Sequence, residues 1–171
     1  GKEREDIPGT GGELARHLVN RFGLEGVGVE QTERGDHYDP ESRTVRLSPP
    51  YYDGRSLTAV AVAAHEVGHA LQHHRGESML SLRTRLVKLA FWAEKAGAGA
   101  LVALPLVAGL TRAPSAGAAM FGVAVLSMAV GAVVHLVTLP VEWDASFGKA
   151  MPILEAGEYI GEEDRPAVRS V

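Results

Sequence analysis

The chain has no cysteine among its 171 residues. That excludes disulfide scaffolds, cysteine-based zinc fingers, iron–sulfur sites and thiol nucleophiles. It also lacks a basic excess: 17 Lys and Arg stand against 21 Asp and Glu, a net charge of -4. With an isoelectric point near 6.0, the chain has no footprint for nucleic acid. Charge is missing altogether from one long region. Between Ala96 and Val141 the only formally charged side chain is Arg112. The mean hydropathy of +0.01 is therefore the average of a charged N-terminal half and an apolar middle. Hydrophobic residues at 46% and charged residues at 22% exclude disordered and collagen-like classes, and the length suits one domain. The ends, Gly1 and Val171, read as cut rather than natural, and no apolar leader opens the chain.

Local patterns divide what is present. Thr10 caps an expected helix over Glu13–Arg21, which Gly23 stops. Val27–Glu30 and Arg43–Ser48 alternate like half-buried strands, with a turn-rich stretch at Gly35–Ser42 between them. Arg43–Ser48 is read either as an edge strand beside a cleft or as an ordinary sheet strand. Ser56 caps a helix of about five turns over Leu57–His74, closed by Gly76. Another helix is expected over Leu80–Lys95. Two apolar stretches follow, Ala96–Leu110 and Ser115–Pro140, joined by a turn at Thr111–Pro114. The second is long enough for a bilayer, which needs about 20 residues, and the first reaches that length only by recruiting Phe91 and Trp92. A domain this small lacks the bulk to bury both, so a two-helix membrane hairpin is expected rather than a soluble core. A helix is expected to restart after Pro140, over Val141–Ala150. The organisation is then 1–95, a region built around the motif helix; 96–140, the hairpin; and 141–171, a helix and polar tail.

The chemistry centres on His65-Glu66-Val67-Gly68-His69. Residues at i and i+4 share one helical face, so the two imidazoles can reach one cation. A glutamate directly after the first histidine is placed to act on water at that cation. Imidazole suits zinc, and the chain has no softer ligand. The motif sits between Ala59–Ala64 and Ala70-Leu71, where two histidines and a glutamate are costly unless they share a task. The competing reading is a bland buried helix.

A catalytic zinc takes three protein ligands and keeps one position open. No third histidine follows at the metzincin spacing. The downstream candidates are Glu77, Glu94, His135, Glu142, Asp144, Glu155 and Glu158. Glu142 is preferred, because two spans between His69 and Glu142 return the chain to its starting side. Its competing reading is an acid favoured by a helix N-terminus. Asp144 and Ser146 are candidates for orienting the ligands from behind. His37 and Tyr38, within Asp36-His37-Tyr38-Asp39, are candidate donors to a developing oxyanion, against a plain Asx-rich turn. Trp92 and Trp143 flank the hairpin as interfacial anchors would.

Four pieces carry a family resemblance: Asp36-His37-Tyr38-Asp39-Pro40, Val45-Arg46-Leu47-Ser48, Ala61–Gln72 around the motif, and Thr138-Leu139-Pro140-Val141-Glu142-Trp143-Asp144-Ala145-Ser146. In order and spacing, over roughly residues 10–155, the chain resembles the YugP-like neutral zinc metallopeptidases of bacteria, which are membrane proteins. The resemblance implies zinc on His65, His69 and Glu142, with Glu66 catalytic. It also implies a zincin-like fold, which with the segment reading above makes the expected architecture α+β and mainly helical, with a short sheet and an inserted transmembrane hairpin. A membrane segment ahead of residue 1 is expected on the same ground.

The expected function is a membrane-associated zinc endopeptidase acting on peptide or protein substrates, with membrane lipid as its other partner. Arg75, Arg83, Arg85 and Lys88, set against Arg112 alone in the opposite loop, place the site on the cytoplasmic side of the cell membrane. The alternatives are an intramembrane metalloprotease and a zinc-binding membrane scaffold without turnover.

Overall fold

A computed structural model describes residues 3–171. The chain is mainly helical, with one small sheet, and divides into two compact units. One comprises the residues up to Glu77 together with Glu142–Val171; the other is Ser78–Val141.

In the first unit, α1 (Gly11–Arg21) opens on a reciprocal cap. The Glu13 amide donates to the Thr10 hydroxyl, and the Thr10 amide donates to the Glu13 carboxylate at 2.8 Å. The helix buries Ala15, Leu18 and Val19, and the chain turns at Gly23, whose φ of 61° suits glycine. Strands β1 (Gly28–Gln31), β2 (His37–Asp39) and β3 (Thr44–Leu47) form a sheet in the order β1-β3-β2. β3 runs parallel to β1 and antiparallel to β2, with Val45 opposite both Val29 and Tyr38. The edge-strand reading of Arg43–Ser48 is therefore corrected: the strand is central and both its ladders are occupied. Alternation reports that a strand has two faces, not how many neighbours it has.

The β2–β3 turn is held by Asp39, which accepts from Ser42, Arg46 and the Glu41 amide. Burial pushes its carboxyl up, but these hydrogen bonds win and hold it at about 2. Asp36 accepts from both the amide and the hydroxyl of Ser48, at 2.7 and 2.9 Å, and ties the turn to the end of β3. Pro49-Pro50 ends the strand as expected and opens the short helix α2 (Pro49–Tyr52).

Helix α3 (Leu57–His74) lies across this sheet. The Ser56 hydroxyl caps it, accepting from the Ala59 amide at 3.1 Å. Its Ala63, Ala64, Val67 and Ala70 are fully buried with Val45 and Leu47 of β3 and Leu18 of α1. On another side it meets a π-helical segment, Asp144–Ala150, continued by α6 (Met151–Ala156). Glycine is required at position 68, because a Cβ there would lie 2.9 Å from the Ala145 carbonyl oxygen. Gly68→Val is expected to cost about 1–3 kcal/mol through overpacking, read as a lowered melting temperature, because rigid backbone rather than a flexible side chain stands in the way. After α6 the chain makes a 3₁₀ turn at Glu162–Asp164 and a short helix, α7 (Arg165–Val168).

The second unit holds α4 (Ser78–Thr111) and most of α5 (Pro114–Trp143). The expected helix over 80–95 and the apolar stretch 96–110 are one continuous helix of 34 residues, which contains Pro105. A change from charged to apolar side chains carries no backbone signal, so nothing ends the helix at Lys95. The expected break at Pro140 is likewise absent. α5 runs through it to Trp143, and the winding loosens only at Asp144. A proline inside a long apolar helix forfeits one backbone hydrogen bond without ending the helix. The turn at Arg112–Ala113 falls where expected, with Arg112 at φ 48°. Within this unit Gly97 lies against Ser127 and Ala124 so closely that no side chain fits there. Both helices are long and apolar enough to cross a membrane by length and composition.

Candidate metal centre

The 3.6-residue period of α3 sets His65 and His69 one above the other, their ring centroids 4.7 Å apart and nearly perpendicular. Glu142 reaches them from the last turn of α5. Its Oε2 lies 3.4 Å from His65 Nε2 and 3.3 Å from His69 Nε2. Two donors on a tetrahedral zinc, with bonds of about 2.0–2.1 Å, stand about 3.3–3.4 Å apart, so these separations fit that ion. Among the described residues this is a group of three side chains that could hold a metal. The back of the group is closed and its front is open: His69 is 2% exposed, while His65 and Glu142 are 26% and 32% exposed.

The Nδ1 atoms face away from Glu142 and have partners of their own. His65 Nδ1 is 3.0 Å from the Ser146 hydroxyl, and His69 Nδ1 is 2.8 Å from the Gln72 side-chain oxygen. The Gln72 amide nitrogen donates to Asp144 at 2.8 Å. Asp144 also pairs with the buried Lys149, whose ammonium lies 3.1 Å from Glu77. Burial raises the Asp144 carboxyl, but hydrogen bonds from Lys149 and Gln72 outweigh it and leave it below the ordinary aspartate range.

Glu66, next to His65 on α3, is 6% exposed. With His65 it lines a cavity of about 460 Å³ whose other walls include Asp36, Val62, Phe147 and Met151. The end of the chain, Val168–Val171, closes one side. The cavity thus joins His65 and Glu66 to a mixed wall, apolar at Val62, Phe147 and Met151 and polar at Asp36.

Of the remaining candidates, Asp144 and Ser146 stand behind the two histidines, the first through Gln72 and the second directly. His37 and Tyr38 do not line the cavity. His37 Nδ1 is 2.8 Å from the Gly35 carbonyl, and the Tyr38 hydroxyl is 2.8 Å from His73 Nδ1. Burial raises the Tyr38 hydroxyl's pKa. Asp36, in the same turn, reaches the cavity instead. Glu77 is engaged by Lys149, and Glu155 lies near Arg165 and Arg169. Gln72 is a contact that reading by ligand type passes over. The signal was present, since Gln72 is a polar residue three positions after His69 and so falls on the same helical face.

Comparison with known proteins agrees with this geometry. The family described as "Putative neutral zinc metallopeptidase" matches residues 1–171. A relative named "Putative membrane protease YugP", from Bacillus subtilis (strain 168), is 36% identical over 165 residues, covering 95% of this chain and 69% of the relative. No solved structure matches the chain. With a match along its whole length and a relative this similar across nearly all of it, the chain belongs to the neutral zinc metallopeptidase family, whose metal is zinc.

Proposed function

We propose that the protein is a membrane-associated zinc endopeptidase with a zincin-like catalytic unit, in which His65, His69 and Glu142 hold the metal and Glu66 is the general base. The observation that carries the reading is the convergence of three donor atoms within 4.8 Å of one another, two of the pairs at 3.3–3.4 Å, with a buried carboxylate on the adjoining cavity. When bound, zinc polarises the scissile carbonyl and makes water a better nucleophile. Glu66 accepts the proton of the attacking water and returns it to the leaving amine nitrogen. The cavity admits the peptide, and its wall of Val62, Phe147 and Met151 shields the reacting bond from bulk water.

The membrane part of the reading rests on α4 and α5. Only 6% and 22% of their most apolar windows are buried. A soluble core hairpin would bury most of that surface. Trp92 and Trp143 are exposed near the ends of the apolar stretches, where bilayer interfaces favour tryptophan. At about 1.5 Å per residue the 34 residues of α4 exceed the roughly 30 Å of hydrocarbon. Its first turns, with Arg83, Arg85 and Lys88, accordingly lie outside the bilayer. That basic bias, against Arg112 at the opposite turn, supports a catalytic unit on the cytoplasmic side.

Two other readings fit less well. An intramembrane protease needs its motif helix among lipid, whereas α3 is buried by α1, the sheet and the π-helical segment. A zinc scaffold without turnover needs a closed metal, whereas His65 and Glu142 are both partly exposed and His65 lines the cavity. The test uses the purified protein in detergent with a mixed peptide library. Cleavage is expected to vanish on removal of zinc by a chelator and to return with stoichiometric zinc. Cleavage that persists in fully stripped protein overturns the proposal.

A further inference from the structure

We propose that Gln72, oriented by Asp144, is a positioning residue that fixes the tautomer of His69 and so aims its Nε2 lone pair at the metal. The inference rests on the zinc reading above. It starts from an asymmetry among hydrogen-bonding groups. An ionised carboxylate only accepts, a side-chain amide has one end of each kind, and a neutral imidazole has one nitrogen of each kind. Asp144 Oδ2 lies 2.8 Å from the Gln72 amide and must receive from its NH₂ end. The carbonyl end of the same amide then faces His69 Nδ1, 2.8 Å away. A carbonyl oxygen cannot donate, so Nδ1 must carry the proton. The lone pair of the neutral ring is left on Nε2, 3.3 Å from Glu142, so two acceptors face each other there and a cation held by both would satisfy them.

Burial makes this order binding. Gln72 is 1% exposed and His69 2%, so water does not stand in for either partner. Asp144 is in turn tied to Lys149, which also pairs with Glu77 just beyond α3. His65 has no such device, since its Nδ1 meets the Ser146 hydroxyl, which both donates and accepts. The stretch that brings Glu142 to the site also carries, two residues later, the anion that orders Gln72. Docking of one segment thus delivers the third ligand and prepares the second.

The test is a cycle of zinc affinities, measured by competition with a chromogenic chelator at pH 8 on the full chain in detergent. Gln72→Glu sets a carboxylate against Asp144 and is expected to weaken zinc binding about 10–100-fold, the range typical of lost outer contacts to a ligand. Asp144→Asn replaces an obligate acceptor with an amide that can present either end, so the order of Gln72 is no longer imposed, and it is expected to weaken binding comparably. In the double variant the new side-chain amide at position 144 donates to the new carboxylate at position 72, which accepts from His69 Nδ1–H, and the polarity is restored. Gln72→Glu is therefore expected to reduce affinity in the native background and to raise it in the Asp144→Asn background. The loss of the Lys149 pair is common to both proteins in the second comparison and cancels. The same change in both backgrounds overturns the inference.

A second measurement does not depend on the variants folding. Long-range ¹H–¹⁵N spectra of the zinc-loaded wild-type protein are expected to show His69 protonated at Nδ1, and a His69 with no proton at Nδ1 overturns the inference. His69→Ala separates the two levels. If it keeps full zinc, the metal reading itself fails; if it loses zinc while the cycle shows no reversal, only the role of Gln72 fails.

Discussion

Glu66→Gln is expected to leave zinc content at one ion per chain and to lower kcat about 10²–10⁴-fold, the range associated with removing a general base. Glu66 is not among the three side chains whose donor atoms converge, so an isosteric amide leaves the metal group intact. An amide cannot accept a proton from water near neutral pH, and the transfer to the leaving nitrogen has no carrier. Size and burial are preserved at a position only 6% exposed, which keeps α3 and its core packing. Metal analysis and turnover measured on the same preparation check both halves. Activity retained within a few fold would remove Glu66 from the mechanism. Zinc lost together with activity would show that Glu66 holds the site together rather than acting in it.

What the sequence revealed of this site follows from the physics of local and distant order. The pairing of His65 with His69 was legible because it needs only the helical period. Glu142 was legible because its distance along the chain is bridged by two apolar stretches that return the chain to one side. Gln72 was harder, because its role depends on Asp144 arriving from 72 residues away with its carboxylate turned inward. Lys149 was invisible for the same reason: nothing local to a lone lysine announces that, when buried, it meets the distant Glu77 as well as Asp144. The expected boundary at Lys95 follows side-chain character, which carries no backbone signal, and the expected break at Pro140 rests on one lost backbone hydrogen bond, which a long apolar helix tolerates. The looser winding at 144–150 has no residue signature, yet it sets Ala145 against Gly68 and Ser146 against His65. Local departures to π-helical winding are frequent at functional sites, and here the departure carries two of the contacts behind the metal group.

Glu142→Ala is expected to weaken zinc binding by more than about 100-fold, because losing a ligand should exceed the roughly 10–100-fold typical of losing a contact behind one. Two imidazoles remain, and the neighbouring carboxylates are engaged elsewhere. Asp144 is committed to Gln72 and Lys149, and Glu77 to Lys149. A change to Asp is expected to rescue little, since one methylene less withdraws the oxygen from a position 3.3–3.4 Å from both ring nitrogens. Thermal stability gives an independent reading. A ligand that binds only the folded chain stabilises it by about 4 kcal/mol at a thousandfold excess over its dissociation constant. Zinc should therefore raise the melting temperature of the native protein markedly and that of Glu142→Ala hardly at all. Because a metal held by these three side chains would bridge α3 to the segment that begins at Glu142, this difference measures how far the cation itself would join two stretches separated by the whole apolar hairpin. An unchanged zinc-dependent shift in the variant would move the third ligand elsewhere and leave Glu142 as a charged neighbour of two histidines.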